Sequence, residues 1–144
     1  LEFNCRMGDP ETQPIMMRLK SDLLDVMLAA TEPGPHGRLD QVELEWDRRC
    51  ALGVVMAAHG YPMNPRKGDV ISGLPPDADD AMVFHAGTTM KDGQVLTSGG
   101  RVLCVTALAD SVKQAQHRAY EVAKGIHFDG MQYRRDIGYR AIKN

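Results

Sequence analysis

The sequence has little of several features that would assign it to a class by themselves. Its longest apolar run, ALGVVMAA at 51–58, is far shorter than the roughly 20 residues that a membrane helix needs. Its three cysteines are odd in number and widely spaced, so they form neither a disulfide framework nor a zinc-ligand pattern. The sequence therefore predicts a soluble protein of the reducing cytoplasm, with no contact to a membrane.

Neither sign of charge dominates. The 144 residues include 17 basic and 19 acidic side chains mixed along the chain, with a net charge of −2. This excludes the polybasic surface that nucleic acids or anionic lipids would require. No repeat or low-complexity tract is present, and the length suits one domain, or a small domain with part of another. The chain also has no initiating Met and no signal peptide, which indicates that a segment normally precedes it.

Two stretches have helical periodicity. Apolar residues at helical spacing from Pro14 to Ala30 predict one helix of about four turns. The segment TEPGPHG at 31–37 then breaks regular structure, and we place a domain boundary there, dividing residues 1–32 from 33–144. A second helix is predicted over 111–125, because Ser111 and Gln114 form a capping box before an apolar stripe.

Between the helices the pattern is that of strands. Apolar and acidic residues alternate over 42–47, CALGVVMAA reads as a buried strand, and RVLCVTALA is rich in β-branched residues. The Asp92–Gly93 pair is typical of a tight hairpin turn. We expect an α+β fold in which an antiparallel meander curls over the 111–125 helix.

The opening LEFNCR raises a question of chemistry. On a strand, Glu2, Asn4 and Arg6 would share one face. A carboxylate and an amide oxygen suit a hard cation such as Mg²⁺, and an arginine beside them would hold a phosphoryl or carboxylate oxygen. Ordinary strand amphipathicity explains the same alternation, and LEF would also fit a fusion scar.

Two further groups are candidates for anion binding. In TSGGR, the backbone of Gly99 and Gly100 with the guanidinium of Arg101 would cradle a phosphate, although residue chemistry alone favours a plain hairpin turn. A cluster of arginines around Asp136 would make a second anion site or a salt-bridged surface; its members are Arg134, Arg135 and Arg140. The histidines show no ligand spacing.

Longer motifs resemble a known family. LEFNCRMGDPETQ, GYPMNPRKGDVISGL, VFHAGT, SGGRVLCVTALADS, AQHRAYE and FDGMQYRRDIGYRAI resemble, in order, the C-terminal part of the phosphoribosylamine–glycine ligases. These enzymes, also called glycinamide ribonucleotide synthetases, belong to the ATP-grasp superfamily. The resemblance covers nearly the whole chain. It implies the last strand and helix of an ATP-grasp domain, followed by a small barrel-like C-terminal domain with a packed helix.

The resemblance also implies an activity and roles for residues. The family joins 5-phosphoribosylamine to glycine at the expense of ATP, through a glycyl phosphate, in purine biosynthesis. The superfamily pattern E-x-N-x-R falls on Glu2 and Asn4 as ligands of Mg²⁺ or Mn²⁺, and on Arg6 as the catalytic contact to reacting groups. Asp9 and Glu11 would orient a substrate, or else Asp9 caps a turn and Glu11 complements a helix N-terminus.

Parts of an ATP-grasp enzyme are missing from the sequence, including the lobes that enclose ATP. We therefore expect a C-terminal segment of a monomeric ligase that is inactive without its upstream ATP-grasp segment. The alternatives are a non-catalytic accessory domain, or a fragment of another ATP-grasp carboxylate–amine ligase.

Overall fold

The computed structural model describes residues 5–34 and 37–142. Within them lie three α-helices, α1 (Thr12–Arg18), α2 (Leu23–Thr31) and α3 (Val112–Gly125). The strands are β1 (Cys50–Ala57), β2 (Ala81–His85), β3 (Thr88–Lys91), β4 (Gln94–Thr97) and β5 (Arg101–Ala109). Short 3₁₀ helices occupy Leu39–Gln41 and Tyr139–Ala141. None of the helices in these ranges is long and apolar enough to cross a membrane.

Strand β5 is the centre of the main sheet. It pairs antiparallel with β1 on one side and β2 on the other, so that Val105 lies opposite both Val54 and Val83. Its residues from Val102 to Leu108 are all buried, as expected for a strand covered on both faces. The α+β class and the predicted strands at β1 and β5 are confirmed.

Helix α3 closes one face of this sheet. Ser111 caps it, accepting a hydrogen bond from the Gln114 amide at 3.3 Å. Ala115, Ala119 and Ala123 are fully buried against the core, and their small size lets the helix backbone approach the sheet closely. The helix predicted over 111–125 is therefore confirmed.

The strand order differs from a simple meander. The predicted hairpin forms between β3 and β4, with Asp92 and Gly93 both at positive φ, but these strands make a separate two-stranded sheet. Strand β2 pairs with β5 instead of continuing into the hairpin. The prediction of one meander is wrong. The apolar strand β5 occupies the centre of the larger sheet, and its two neighbours there are β1 and β2, not the hairpin strand β4 that precedes it in sequence.

The segment before β1 also corrects the sequence prediction. The single helix expected over 14–30 is two helices, separated where Leu19 forms a β-bridge with Trp46. Asp22 then caps α2, accepting a hydrogen bond from the Leu24 amide at 2.8 Å. The strand expected over 42–47 is reduced to that bridge at Trp46, so this prediction is wrong. At the N-terminus, Cys5 and Arg6 lie in a bend, and residues 1–4 lie outside the described ranges.

An ion-pair cluster connects the segment before β1 to the described residues from β1 onwards, which we call the sheet domain. Arg49, just before β1, contacts Asp47 at 2.7 Å and Asp79, which lies before β2, at 2.8 Å. Arg18 of α1 donates to the Asp47 carbonyl at 3.0 Å. The hydrogen bonds from Arg49 lower the pKa of Asp47 from 3.8 to about 2.

This shift predicts a pH dependence of stability. A carboxyl whose pKa is lower in the folded state stabilises the fold above the unfolded pKa, and that contribution disappears as pH falls from about 4 to about 2. We expect chemical unfolding of Asp47→Asn to show a shallower loss of stability over this range than the wild-type chain. Identical slopes for the two proteins would contradict the assignment.

Candidate functional site

The site residues predicted from the opening motif fall in two groups. Glu2 and Asn4 lie outside the described residues. Arg6 is exposed, and its Nη1 donates to the Met7 carbonyl at 3.1 Å. No other protein partner of its guanidinium is found among the described residues, and a guanidinium has donors beyond this one contact.

A tight turn follows Arg6 and leads into α1. The Thr12 amide donates to the Gly8 carbonyl at 3.2 Å, which closes the turn at the start of the helix. The Glu11 carboxylate folds back over Gly8, so that a β-carbon there would collide with it. Glu11 is the N-cap residue of α1, and its carboxylate lies beside the backbone of Gly8.

Asp9 and Arg101, 92 positions apart in sequence, meet in the fold. Arg101 Nε lies 3.1 Å from Asp9 Oδ2, and Arg101 Nη1 donates to the Asp9 carbonyl at 3.2 Å. Gln13 of α1 donates from Nε2 to Asp9 Oδ1 at 3.4 Å. The contact joins the segment that carries Arg6 to the start of β5.

Gly99 and Gly100 connect β4 to β5, as a turn between strands. Their backbone is closely packed: a β-carbon on Gly100 would lie 2.5 Å from Tyr61 Cδ2, and one on Gly87 would lie 2.7 Å from the Gly99 Cα. The Ala58 amide donates to the Gly100 carbonyl at 2.9 Å. Glycine is thus required here for close approach, and the turn fixes where Arg101 leaves the sheet.

A cleft of about 440 Å³, which we call the Arg101 cleft, opens beside this turn. Apolar residues, two tyrosines and two arginines line it: Val55, Ala57, Tyr61, Arg101, Gln132, Tyr133, Arg134 and Ile137. Sequence reasoning missed Tyr61, Gln132 and Tyr133, because they come from loops far apart in the chain and no local spacing marks them.

The second predicted anion site is largely paired internally. Arg134 Nη2 lies 2.7 Å from Asp136 Oδ2, and these hydrogen bonds hold the pKa of Asp136 below its usual value. Arg140 stacks on the Tyr139 ring, with 5.6 Å between Cζ and the ring centroid. This geometry favours the interpretation as a salt-bridged surface, although Arg134 also borders the Arg101 cleft.

The described residues do not by themselves supply a metal centre. Over 5–34 and 37–142, no group of three or more His, Cys, Asp or Glu side chains is placed to hold an ion. The predicted ligands Glu2 and Asn4 precede this part of the chain. Their carboxylate and amide oxygens are of the type that hard cations prefer.

The sheet domain matches a known protein family. Residues 51–140 fit the family model described as phosphoribosylglycinamide synthetase, C domain. The chain belongs to the phosphoribosylglycinamide synthetase family. This confirms the resemblance that the sequence motifs carry.

Curated relatives of the phosphoribosylglycinamide synthetase family match almost the whole chain. A phosphoribosylamine–glycine ligase from Ralstonia nicotianae is 64% identical over 143 residues, which cover 99% of this chain and 33% of the relative. The ligase of the same name from Vibrio parahaemolyticus is 60% identical, with 99% and 32% covered. The chain thus spans about a third of the length of the curated relatives that it matches.

A solved member of the family has the same fold. A crystal structure of phosphoribosylamine–glycine ligase from Thermotoga maritima superposes with a TM-score of 0.71 at 36% identity. The match covers 95% of this chain and 32% of the other. With 95% of the chain covered, the match extends beyond residues 51–140 of the family model.

Proposed function

We propose that this chain works as the C-terminal part of an ATP-dependent ligase that joins 5-phosphoribosylamine to glycine. The products would be glycinamide ribonucleotide, ADP and phosphate, in purine biosynthesis in the cytoplasm. The observation that carries the proposal is the 64% identity, over 99% of this chain, to a relative named phosphoribosylamine–glycine ligase. We propose a monomer in which residues 1–32 complete an ATP-grasp domain and residues 33–144 form the C-terminal domain.

Arg6 is the catalytic residue in this proposal. Its exposed guanidinium is engaged by a single backbone carbonyl in the described part of the chain, so most of its donors remain for phosphoryl or carboxylate oxygens. In the first step, ATP phosphorylates the glycine carboxylate to give glycyl phosphate and ADP. In the second, the amine of phosphoribosylamine attacks the acyl carbon and phosphate leaves. Arg6 would hold the crowded oxygens in position during both steps.

Glu2 and Asn4 would hold the metal, Mg²⁺ or Mn²⁺. When bound, the ion would neutralise charge on the phosphate oxygens of ATP and of the acyl phosphate. The two side chains supply only part of a coordination shell, so the remaining ligands would come from ATP, water and the upstream ATP-grasp segment.

Substrate binding would involve the turn after Arg6 and the Arg101 cleft. Gly99, Gly100 and Arg101 would receive the ribosyl phosphate, because a guanidinium and backbone amides meet there beside a cleft with aromatic walls. Asp9 and Glu11 belong to the same set. The Asp9 carboxylate is engaged by Arg101, which favours an indirect role for Asp9 over contact with glycine. The Glu11 carboxylate lies over Gly8 at the start of α1.

A chimeric enzyme tests the proposal in cells. The matching 143 residues of the Ralstonia nicotianae ligase would be replaced by this chain, and the chimera expressed in a bacterial strain that lacks its own ligase. We expect growth without added purines. Failure to grow, in cells where the chimera accumulates in soluble form and the Ralstonia nicotianae ligase restores growth, would contradict the proposal.

A further inference from the structure

The contact between Asp9 and Arg101 fixes the direction of the Arg101 side chain. Nη1 donates a hydrogen bond to the Asp9 carbonyl at 3.2 Å, and Nε lies 3.1 Å from the Asp9 carboxylate as an ion pair. Two contacts with one residue restrict the rotation of the planar guanidinium. The contact therefore sets the orientation of the guanidinium, although an exposed ion pair of this kind adds little to stability.

Asp9 is itself held in place. Gln13 donates to its second carboxylate oxygen, and Gln13 belongs to α1, which packs across the outer face of the sheet near Gly53. The Asp9 backbone lies in the turn closed by the Thr12 amide. The orientation of Arg101 thus depends on a segment outside the sheet domain, and this segment also carries Arg6.

Not every nitrogen of the Arg101 guanidinium is engaged by the described part of the protein. Its contacts with Asp9 use Nε and Nη1, and among the described residues no hydrogen bond engages Nη2. Arg101 lines the Arg101 cleft together with Tyr61 and Tyr133, and the close packing of Gly100 on Tyr61 fixes the backbone from which it projects.

We propose that Asp9 is a positioning residue, which holds Arg101 so that its unused N–H groups bind the phosphate of a sugar phosphate in the Arg101 cleft. The inference rests on the proposed function, since it assigns distinct roles to two of the proposed substrate-binding residues. Arg101 touches the ligand, and Asp9 acts only through Arg101.

Removal of Asp9 changes phosphate affinity in opposite directions under this inference and under simple electrostatics. Asp9 carries a negative charge beside the anion site, so its removal would by charge alone strengthen phosphate binding. If Asp9 positions Arg101, its removal weakens binding in spite of the charge, because the guanidinium loses its fixed direction.

The test is a titration of the 144-residue chain with ribose 5-phosphate, followed by ¹H–¹⁵N NMR, with inorganic phosphate as a second probe. In the wild-type chain we expect ribose 5-phosphate to shift the amides of Gly99 and Gly100 and the Nε signal of Arg101. Asp9→Ala removes the carboxylate beside Nε but keeps the backbone carbonyl that accepts from Nη1. It should bind about threefold to tenfold more weakly, as expected when one restrained side chain becomes mobile. Asp9→Asn, which keeps an acceptor oxygen, should fall between the two.

Asp136→Asn is the matched control. It removes the same charge from Asp136, which pairs with Arg134, a residue that lines the same cleft. Among the described residues, Asp136 has no ion pair with Arg101. Its binding should equal or exceed that of the wild-type chain, and well-dispersed spectra should show that both variants are folded. Asp9→Ala binding as tightly as wild type, or more tightly, would overturn the inference alone. If ribose 5-phosphate shifts no NMR signal of residues 99–101 in the wild-type chain, both the inference and the phosphate subsite are overturned. The ligase proposal is unaffected by that result, because the chimera tests it separately.

Discussion

Replacing Arg6 by alanine in the chimeric ligase should lower kcat by about a hundredfold to a thousandfold, the range for loss of one oriented group that stabilises transition-state charge. The reason is that Arg6 is exposed and its guanidinium is bonded to one backbone carbonyl in the described part of the chain. Its side chain therefore contributes little to the fold and has donors left for the reacting oxygens, as we propose. Steady-state kinetics with glycine, phosphoribosylamine and ATP would measure the effect.

Two companion variants sharpen this prediction. Arg6→Lys keeps the charge but loses the bidentate geometry, so its kcat should lie between those of wild type and Arg6→Ala. Arg38→Ala removes an exposed arginine that pairs with Glu32, far along the chain from the site motif, and should leave kcat unchanged. A kcat for Arg6→Ala within about threefold of wild type would exclude a role in stabilising the transition state.

Phe128→Ala should be the most destabilising change in the sheet domain, by about 3–5 kcal/mol. Phe128 follows α3, is fully buried, and belongs to the core cluster with Met56, Val102 and Ile126. Truncation removes buried apolar area and leaves a cavity in a well-packed core. Urea unfolding of the 144-residue chain would measure the loss of free energy.

His127→Ala is the matched control for this change. His127 is the exposed neighbour of Phe128, and its substitution should alter the free energy of unfolding by no more than about 0.5 kcal/mol. If Phe128→Ala does not fold, Phe128→Leu gives the measurable version, with a cost of about 1.5 kcal/mol. Equal stability of wild type and Phe128→Leu would contradict the placement of this side chain in the core.

Sequence patterns correctly predicted two kinds of element: those defined by residues close together in the chain, and strands that are almost entirely buried. The capping box at Ser111 and the alanine stripe of α3 are confirmed, as are the apolar strands β1 and β5 and the Asp92–Gly93 hairpin. These features depend on residues close together in sequence. Periodicity of 2 or 3.6 residues therefore carries enough information to find them.

Contacts between distant parts of the chain determine where α1 ends and why residues 42–45 form no strand. The helical stripe from Pro14 to Ala30 continues across the break, yet Leu19 pairs with Trp46 and the Lys20 amide donates to the Glu45 carbonyl at 2.9 Å. The same contacts leave Val42 to Glu45 outside any strand. Sequence spacing gives no sign of such pairings, because each partner lies more than 20 positions away.

Some features of the candidate site are visible in the sequence, and others are formed only by the fold. The motif that contains Arg6 and the turn glycines at 99–100 stand out in the sequence, whereas the Asp9–Arg101 contact exists only in the folded chain. Tyr61 and Tyr133 join Arg101 in one cleft from separate loops. The sequence offers Asp9 and Arg101 as two separate substrate-binding candidates, and the fold brings them into contact.

The most direct test of the central claim is the product that the purified chimera makes. It would be incubated with ATP, glycine and phosphoribosylamine formed in place from ribose 5-phosphate and ammonia, and the product mass determined. We predict glycinamide ribonucleotide, formed only when ATP and glycine are both present, together with ADP and phosphate. A folded chimera that makes none, under conditions in which the Ralstonia nicotianae ligase is active, would contradict the claim that this chain serves a phosphoribosylamine–glycine ligase.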